Sequence, residues 1–143
     1  MNKIKLSFDS RPQLKKPYKE MIASINNNLG RSPVTISKDE LKIFAHKIGA
    51  KGHTFCPATF KNQNLRQENY EQQQLFALDF DNKDTANSIT FDEVKQRADF
   101  HELPILFAYE TLSSENQNKF RVVFINDVSV DDIRVAKAMQ LAI

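Results

Sequence analysis

The chain has 143 residues, 41% of them hydrophobic and 27% charged, which is the size and composition of one globular domain. Its formal net charge of +2 is too small to indicate nucleic-acid binding by itself. The single cysteine, Cys56, excludes an internal disulfide, and no apolar run reaches the roughly 20 residues of a membrane span. The N-terminus also lacks the apolar core of a secretion signal, so we expect a cytoplasmic protein without a membrane segment.

The first part of the chain is predicted to be mainly helical. Alternation predicts a strand over residues 3–8, and helical spacing predicts a helix over residues 17–29 that ends at Gly30. The capping-box pattern from Ser37 to Glu40 predicts the start of a second helix. We interpret the region as a helical lead-in over residues 1–52, followed by a core sheet over residues 53–143 of the same domain.

Basic residues are concentrated near the N-terminus and form a candidate surface for a polyanion, with a solvated surface as the alternative. They are Lys3, Lys5, Arg11, Lys15, Lys16 and Lys19.

The second part alternates between strand and helix patterns. A nearly continuous apolar run predicts a central strand over residues 75–80 that is covered on both faces. The other predicted elements are a short strand over 53–60, a polar loop or exposed helix over 61–74, a helix that starts at Thr90, strands over 104–109 and 120–125, and a last helix opened by Ser129 and Asp132. This order predicts an α/β layer in which helices cover a mixed sheet.

The predicted last helix ends on the apolar residues Leu141, Ala142 and Ile143 without a capping signal. We interpret the polypeptide as an N-terminal piece of a longer protein. The alternative is a complete protein whose last residues dock into the core.

Asp79 and Asp81 give the strongest functional signal. They follow an apolar run and alternate with Phe80, so in a strand both carboxylates emerge on one face at its C-terminal end. Two adjacent carboxylates repel each other and are costly to bury unpaired, and a bound cation removes both penalties. Hard oxygen ligands suit Mg²⁺ or Mn²⁺, which keep open positions for water and substrate phosphates. The pattern predicts a divalent-metal site for a phosphate-bearing, nucleotide-like substrate.

A structural explanation of the same residues is also open. The strand would then end at Leu78, and the two aspartates would begin a solvated turn that continues through Asn82, Lys83 and Asp84. The bare Asp-x-Asp pattern is weakly specific, because phosphatases, glycosyltransferases and polymerases all use it.

The segment from Lys119 to Phe124 is the second candidate. Alternation places Lys119 and Arg121 on one face of a strand, and a polar turn that begins at Ser113 precedes it. A planar guanidinium suits bidentate phosphate contacts, so Arg121, with Lys119 and Ser113, is predicted to bind a nucleotide beside the metals. The alternative is an edge-strand arginine that faces water or pairs with Glu110.

Other polar residues are weaker candidates. Glu110 ends a predicted strand beside Tyr109, and Arg66 lies in the polar loop; ordinary surface is the alternative for both. The histidines show no ligand spacing with Cys56, which argues against a zinc site. Three glycines in all leave no Walker-type or dinucleotide-binding loop.

Together these segments resemble a known family. The order of Phe76 to Asn82, a helix, a strand, a Ser-rich turn and the strand Lys119 to Phe124 resembles primase-polymerase domains of the archaeo-eukaryotic primase superfamily. The likeness is to the versions at the N-termini of replication proteins of phages, plasmids and integrated bacterial elements. The stretch from Gly52 to Phe60 is similar to the segment that precedes the metal strand there.

The resemblance implies two-metal nucleotidyl transfer in DNA replication of a mobile element. Asp79 and Asp81 would be the acidic pair that binds catalytic Mg²⁺ or Mn²⁺. Nucleoside triphosphates and a single-stranded or primed DNA template would be the partners, with a helicase domain or subunit in the parent protein. Arg121 stands where the family has a histidine that contacts the incoming nucleotide. The family's third acidic motif is expected beyond Ile143 or lost, with Asp127, in a turn, as a weak substitute.

Two other functions are compatible with these residues. A phosphatase of the haloacid dehalogenase type also has Asp-x-Asp after an apolar strand, but Asn82 and Lys83 here replace the glycine and threonine that normally follow. A non-catalytic nucleic-acid-binding replication module that keeps the primase-like sheet would account for the replaced histidine and the missing third acid.

Overall fold

A computed structural model of the chain describes residues 3–82, 88–112, 114–115 and 118–143. Within these ranges strands and helices are both present, which confirms the predicted α/β (α+β) class. The strands are β1 (Lys3–Phe8), β2 (Pro33–Ser37), β3 (Phe55–Cys56), β4 (Ala58–Phe60), β5 (Tyr70–Asp81), β6 (Ile105–Glu110) and β7 (Lys119–Val130). The helices are α1 (Lys19–Arg31), α2 (Leu41–Gly49), α3 (Phe91–Phe100) and α4 (Ile133–Ala142).

The strands form two antiparallel sheets rather than the single mixed sheet expected from the sequence. One sheet has the order β2-β1-β3 and the other β4-β5-β7-β6. β5 and β6 run in the same direction, but β7 lies between them and is antiparallel to both. The prediction of a mixed sheet was wrong because β5 pairs with β7 and not with β6. Pairing β5 and β7 along most of their length satisfies more backbone groups than pairing β5 with the shorter β6 would.

The four-stranded sheet is the middle layer of the molecule. Its first face packs against the three-stranded sheet and α2, in a core of Ile4, Leu6, Ile36, Phe44, Ile48, Phe55, Leu75 and Val123. Its second face packs against α3 and α4, in a core of Phe76, Val94, Ala98, Phe120, Val122, Phe124, Val130 and Ala136. The predicted burial of the central strand on both faces is confirmed.

Helix α1 continues past its predicted end. Gly30 was expected to terminate it, yet Gly30 lies inside the last turn and is buried. A Cβ at this position would stand 2.8 Å from the backbone nitrogen of Leu65 and 3.1 Å from the carbonyl oxygen of Gln63. The glycine is therefore required by close packing of the loop before β5, and not by a helix cap.

The lead-in region predicted as helical also contributes strands. β1 matches its predicted bounds, whereas β2 was not predicted, because its alternation is short and it begins with Pro33. Ser37 ends β2, and its hydroxyl donates to the Glu40 carboxylate at 2.9 Å without capping a backbone group.

The polar segment before the central strand is partly strand itself. β5 begins at Tyr70, so the prediction of a loop or exposed helix was wrong for residues 70–74. Their polar side chains have specific partners: Glu71 accepts from Thr59 Oγ1 at 2.7 Å, and Gln72 donates to the Lys5 carbonyl at 3.0 Å. The Glu71 bond lies within the four-stranded sheet, between β4 and β5, and the Gln72 bond joins that sheet to β1 of the other sheet. The sequence shows no apolar signal at these positions.

The predicted caps of the later helices are confirmed in part. Thr90 Oγ1 accepts from the Glu93 backbone nitrogen at 3.2 Å, as the capping-box pattern predicts. The last helix is capped by Asp132, whose carboxylate accepts from the Arg134 nitrogen at 2.9 Å, and not by Ser129. No helix in the described part of the chain combines the length and the hydropathy that crossing a bilayer requires.

Candidate functional site

The acidic pair lies at the end of the central strand. β5 runs through Asp81, so the alternative in which the strand ends at Leu78 and a turn begins is wrong. Asp79 and Asp81 are exposed, and their spacing of two puts them on the same face of the strand. Phe80 points to the opposite face and stacks on Phe120, with ring centroids 5.0 Å apart. Packing of this ring keeps the strand regular up to the acids.

The neighbouring strand places a base opposite each acid. In the register of β5 and β7, Asp79 faces Arg121 and Asp81 faces Lys119. On the other side of β7, Tyr109 of β6 also faces Arg121. The sequence predicted that Arg121 and Lys119 share a face, and antiparallel pairing brings that face next to the carboxylates.

Arg121 and Asp79 form a bidentate ion pair. Nε of Arg121 donates to Oδ1 of Asp79, and Nη2 donates to Oδ2 at 3.1 Å. The side chain of Asp79 is 64% exposed and that of Arg121 is 32% exposed. Water screens an ion pair with this much exposure, so it stabilises the fold by about 1 kcal/mol or less. The predicted alternative partner of Arg121, Glu110, instead accepts from the hydroxyl of Ser114 at 3.0 Å.

Tyr109 holds the other side of the guanidinium. Its hydroxyl accepts from Nη1 of Arg121 at 2.9 Å, and its ring centroid lies 5.8 Å from the guanidinium carbon. Burial raises the pKa of Tyr109, although the charge of Arg121 opposes this shift. Burial alone would lower the pKa of Arg121, but the hydrogen bond and charge of Asp79 and the contact with Tyr109 raise it above its ordinary value. Arg121 therefore remains a cation.

Arg121 lies between two clefts. The first has a volume of about 340 Å³ and is lined by Tyr109 and Arg121 together with Gln13, Lys16, Gly49 and His53. The second has a volume of about 320 Å³, and its lining includes Asp79, Arg121, Cys56 and Gln140. Both clefts are open to solvent and reach Arg121, and the second is lined by both members of the ion pair.

Of the two other residues predicted to bind the nucleotide, the described part of the structure includes Lys119 but not Ser113. Lys119 is half-buried at the start of β7, and its backbone nitrogen donates to Ser114 Oγ at 3.2 Å. Ser113, predicted to contact the nucleotide, lies outside the described residues, as do Lys83 and Asp84.

Two weaker candidates lie away from the ion pair. Asp127 lies within β7 and not in a turn as predicted, because the strand continues to Val130. It lies six positions after Arg121, beyond a break in the register between β7 and β5. Arg66 is exposed between two short 3₁₀ turns and lines neither cleft. Neither residue is brought to the site.

Sequence reasoning missed several residues around the clefts. Gln140 of α4 donates to the carbonyl of Ala77 at 2.8 Å and so brings the last helix against β5 beside Asp79. His53 stacks on Phe8 at 5.0 Å and contacts the Asp9 carbonyl through Nδ1 at 3.0 Å. A glutamine on a short amphipathic helix and an isolated histidine give no pattern that predicts either position.

The donor set suits a hard divalent cation. Asp79 and Asp81 provide carboxylate oxygens on one face, which are ligands that Mg²⁺ and Mn²⁺ accept. Among the described residues, no group of three or more His, Cys, Asp or Glu side chains is arranged to hold a metal. A cation held by these two aspartates would therefore complete its shell with water or ligand oxygens, and it would share Asp79 with Arg121.

No family model, no curated protein and no solved structure matches this chain.

Proposed function

We propose that the adjoining ends of β5 and β7 bind a divalent cation and the phosphate chain of a nucleotide, in a primase-polymerase-like domain. The proposed activity is two-metal nucleotidyl transfer during DNA replication of a mobile element, in the cytoplasm. The facing register of Asp79 with Arg121 and of Asp81 with Lys119 carries the proposal. A complex of Mg²⁺ or Mn²⁺ with a triphosphate has a cation for the acids and anionic oxygens for the bases, so it is complementary in charge to both members of each pair.

Each residue has a defined task in this proposal. Asp79 and Asp81 would hold the divalent cations of the two-metal mechanism, which would supply Lewis-acid stabilisation of the phosphoryl group. Arg121 neutralises phosphate charge through its planar fork, and Lys119 adds a second positive charge at the strand end. The clefts on either side of Arg121 are within the range of volumes of small-ligand sites, roughly 300–1,000 Å³.

The template is proposed to lie along the basic segment before α1. Lys15 and Lys16 are exposed there, and Lys16 lines the same cleft as Arg121. Phosphate contacts of this kind position a nucleic acid without reading its sequence. A helicase domain or subunit in the parent protein belongs to the same proposal.

Incorporation of labelled nucleotides on a primed DNA template, with Mn²⁺ or Mg²⁺, tests the function. We expect Asp79→Asn and Asp81→Asn each to abolish incorporation while the thermal unfolding transition is retained. Asp127→Asn is the matched control, because it removes an exposed carboxylate from the same sheet at the far end of β7. Incorporation that survives in both site variants, or that is lost equally in the control, would contradict the proposal. Phosphate release from an aryl phosphate would instead support the phosphatase.

The ion pair itself favours a second candidate, a non-catalytic module that binds single-stranded nucleic acid. Arg121 already compensates the charge of Asp79, so a metal is not needed to stabilise that carboxylate. Such a module would bind single-stranded DNA equally well with Mn²⁺ or with a chelator present. Metal-independent binding without nucleotide incorporation would favour this candidate over the polymerase.

A further inference from the structure

We propose that Asp79 and Arg121 make this site selective for a preformed chelate of a divalent cation and a polyphosphate, over either component alone. The inference rests on the function proposed above, and it names the form in which the ligand binds. The selectivity follows from the geometry of the Asp79–Arg121 ion pair and from the contact with Tyr109 that Arg121 keeps when that pair opens.

The ion pair engages the carboxylate that a free cation would bind and the guanidinium donors that a free polyphosphate would bind. Both oxygens of Asp79 accept hydrogen bonds from Arg121, so a free cation that binds Asp79 competes with the guanidinium for the charge of that carboxylate. A free polyphosphate likewise competes with the carboxylate for the Nε and Nη2 donors of Arg121. In either case one charged group of the protein loses part of its charge compensation, and that loss weakens binding by the small amount expected for an exposed pair. A chelate supplies both partners in one step, so it avoids the loss.

The pair is weak enough to open. With side chains 64% and 32% exposed, it belongs to the class of ion pairs whose loss changes an equilibrium by about fivefold or less. A ligand with two or three charge-assisted contacts exceeds this effect. The pair therefore reduces the affinity for a single component without preventing the chelate from binding.

Tyr109 keeps Arg121 in place during the exchange. Its hydroxyl accepts from Nη1, whereas Asp79 uses Nε and Nη2. When Asp79 is transferred to the cation, the guanidinium retains this contact and the neighbouring ring. The two freed donors are then directed at the position vacated by the carboxylate, which is next to the cation that Asp79 holds. Cation and phosphate sites are thus adjacent, as they must be for one chelate.

Coupling between two ligands is reciprocal and is measured as a ratio of affinities. We would titrate the full chain with Mn²⁺ alone, following free Mn²⁺ by electron paramagnetic resonance, and with the Mn²⁺ chelate of inorganic tripolyphosphate by calorimetry. In the wild type we expect the chelate to bind about tenfold more tightly than Mn²⁺ alone. In Arg121→Gln we expect Mn²⁺ alone to bind up to about fivefold more tightly and the chelate to lose its advantage.

Two variants separate the exchange from simpler effects. Arg121→Lys keeps the positive charge without the fork, so it should also bind Mn²⁺ alone more tightly than the wild type, whereas plain charge repulsion predicts no change. Arg134→Gln removes a similar bidentate pair, formed with Asp132 at 3.2 and 2.9 Å at the start of α4, and should leave both affinities unchanged.

Distinct outcomes overturn the inference and the proposed function. If the wild type binds both probes and Arg121→Gln leaves their ratio unchanged, the inference is wrong and the site remains. If the folded wild type binds neither probe, the proposed function and the inference fail together. Equal Mn²⁺ affinity of Arg121→Lys and the wild type would show that charge alone acts at this site, which also overturns the exchange.

Discussion

The carbonyl oxygen of Gln13 lies only 1.9 Å from the point where a Cβ on Gly52 would stand. The backbone nitrogen of Gln13 also donates to the carbonyl of Gly52 at 3.0 Å, and Gly52 has a φ of +73°. Glycine is therefore needed here both for its backbone conformation and for the missing side chain. This contact lays the segment before α1 against the loop before β3, and both segments line the first cleft.

We expect Gly52→Ala to destabilise the protein by about 3 kcal/mol, because the new methyl group meets backbone and the φ is unfavourable for alanine. Chemical denaturation measures this loss. Lys51→Ala, at the exposed neighbouring position, should change the free energy of unfolding by less than about 0.5 kcal/mol. Equal effects of the two substitutions would contradict the required contact.

Asp9 should make the stability depend on acidic pH. Its side chain is fully buried and accepts from Arg11 at 3.2 Å through two guanidinium nitrogens and at 3.0 Å through the backbone nitrogen. Burial would raise the pKa of Asp9, but the bonds from Arg11 outweigh it, and the pKa lies below its ordinary value. The folded state thus favours the carboxylate, so its contribution is complete above about pH 4 and is lost as the pH falls further.

Asp9→Asn should therefore cost about 2 kcal/mol at neutral pH. The difference from the wild type should shrink below about pH 4, as measured by denaturant titration at several pH values. Arg11→Gln should reduce the pH dependence in the same way, since it removes the partner that holds the pKa down. A difference that stays constant down to pH 2 would show that the pair does not govern acid stability.

Tyr70 should make the stability depend on alkaline pH. Its hydroxyl donates to the carbonyl of Val130 at 2.8 Å, and burial, with the charges of Asp131 and Asp132, raises its pKa to about 12. Because the folded state favours the protonated phenol, stability should fall as the pH rises from about 10 to 12. Tyr70→Phe should lack this component of the decline. An unchanged alkaline decline in the variant would assign the effect to other groups.

The two capping boxes should differ in strength. Thr90 accepts a backbone hydrogen bond at the start of α3, whereas Ser37 contacts only the side chain of Glu40. We expect Thr90→Ala to lower the free energy of unfolding by about 1 kcal/mol and Ser37→Ala by less than half of that, about 0.4 kcal/mol. Thermal or urea unfolding of the two variants compares them directly. A larger loss of unfolding free energy for Ser37→Ala than for Thr90→Ala would contradict the prediction that Thr90 is the stronger cap.

Tyr109 should affect ligand binding more than folding, if the proposed function holds. Tyr109→Phe removes the acceptor of Nη1 and leaves the ring and the Asp79 pair in place. We expect the affinity for a Mn²⁺–nucleoside triphosphate chelate to fall about threefold, the value of one ordinary hydrogen bond. Tyr18→Phe changes an exposed tyrosine immediately before α1 and should leave the affinity unchanged. The same result for both variants would remove Tyr109 from the site.

Local patterns in the sequence correctly predicted several elements. Alternation over residues 3–8 and the capping box at Thr90 are short-range signals whose physical causes lie within one turn or strand. The apolar run before Asp79 similarly predicted a strand buried on both faces. The limits of β5, β7 and α1 were not predictable in this way, because they depend on partners distant in the chain.

The sequence by itself determined which side chains share a face, since a period of two in a strand fixes that Asp79 goes with Asp81 and Lys119 with Arg121. Only the tertiary structure decided that these two faces adjoin, because the choice of β7 as the neighbour of β5, and its register, follows from burial of both strands between two cores. It also decided that Arg121 neutralises Asp79 directly. Residues 42 positions apart become hydrogen-bonded only when long-range packing aligns their strands.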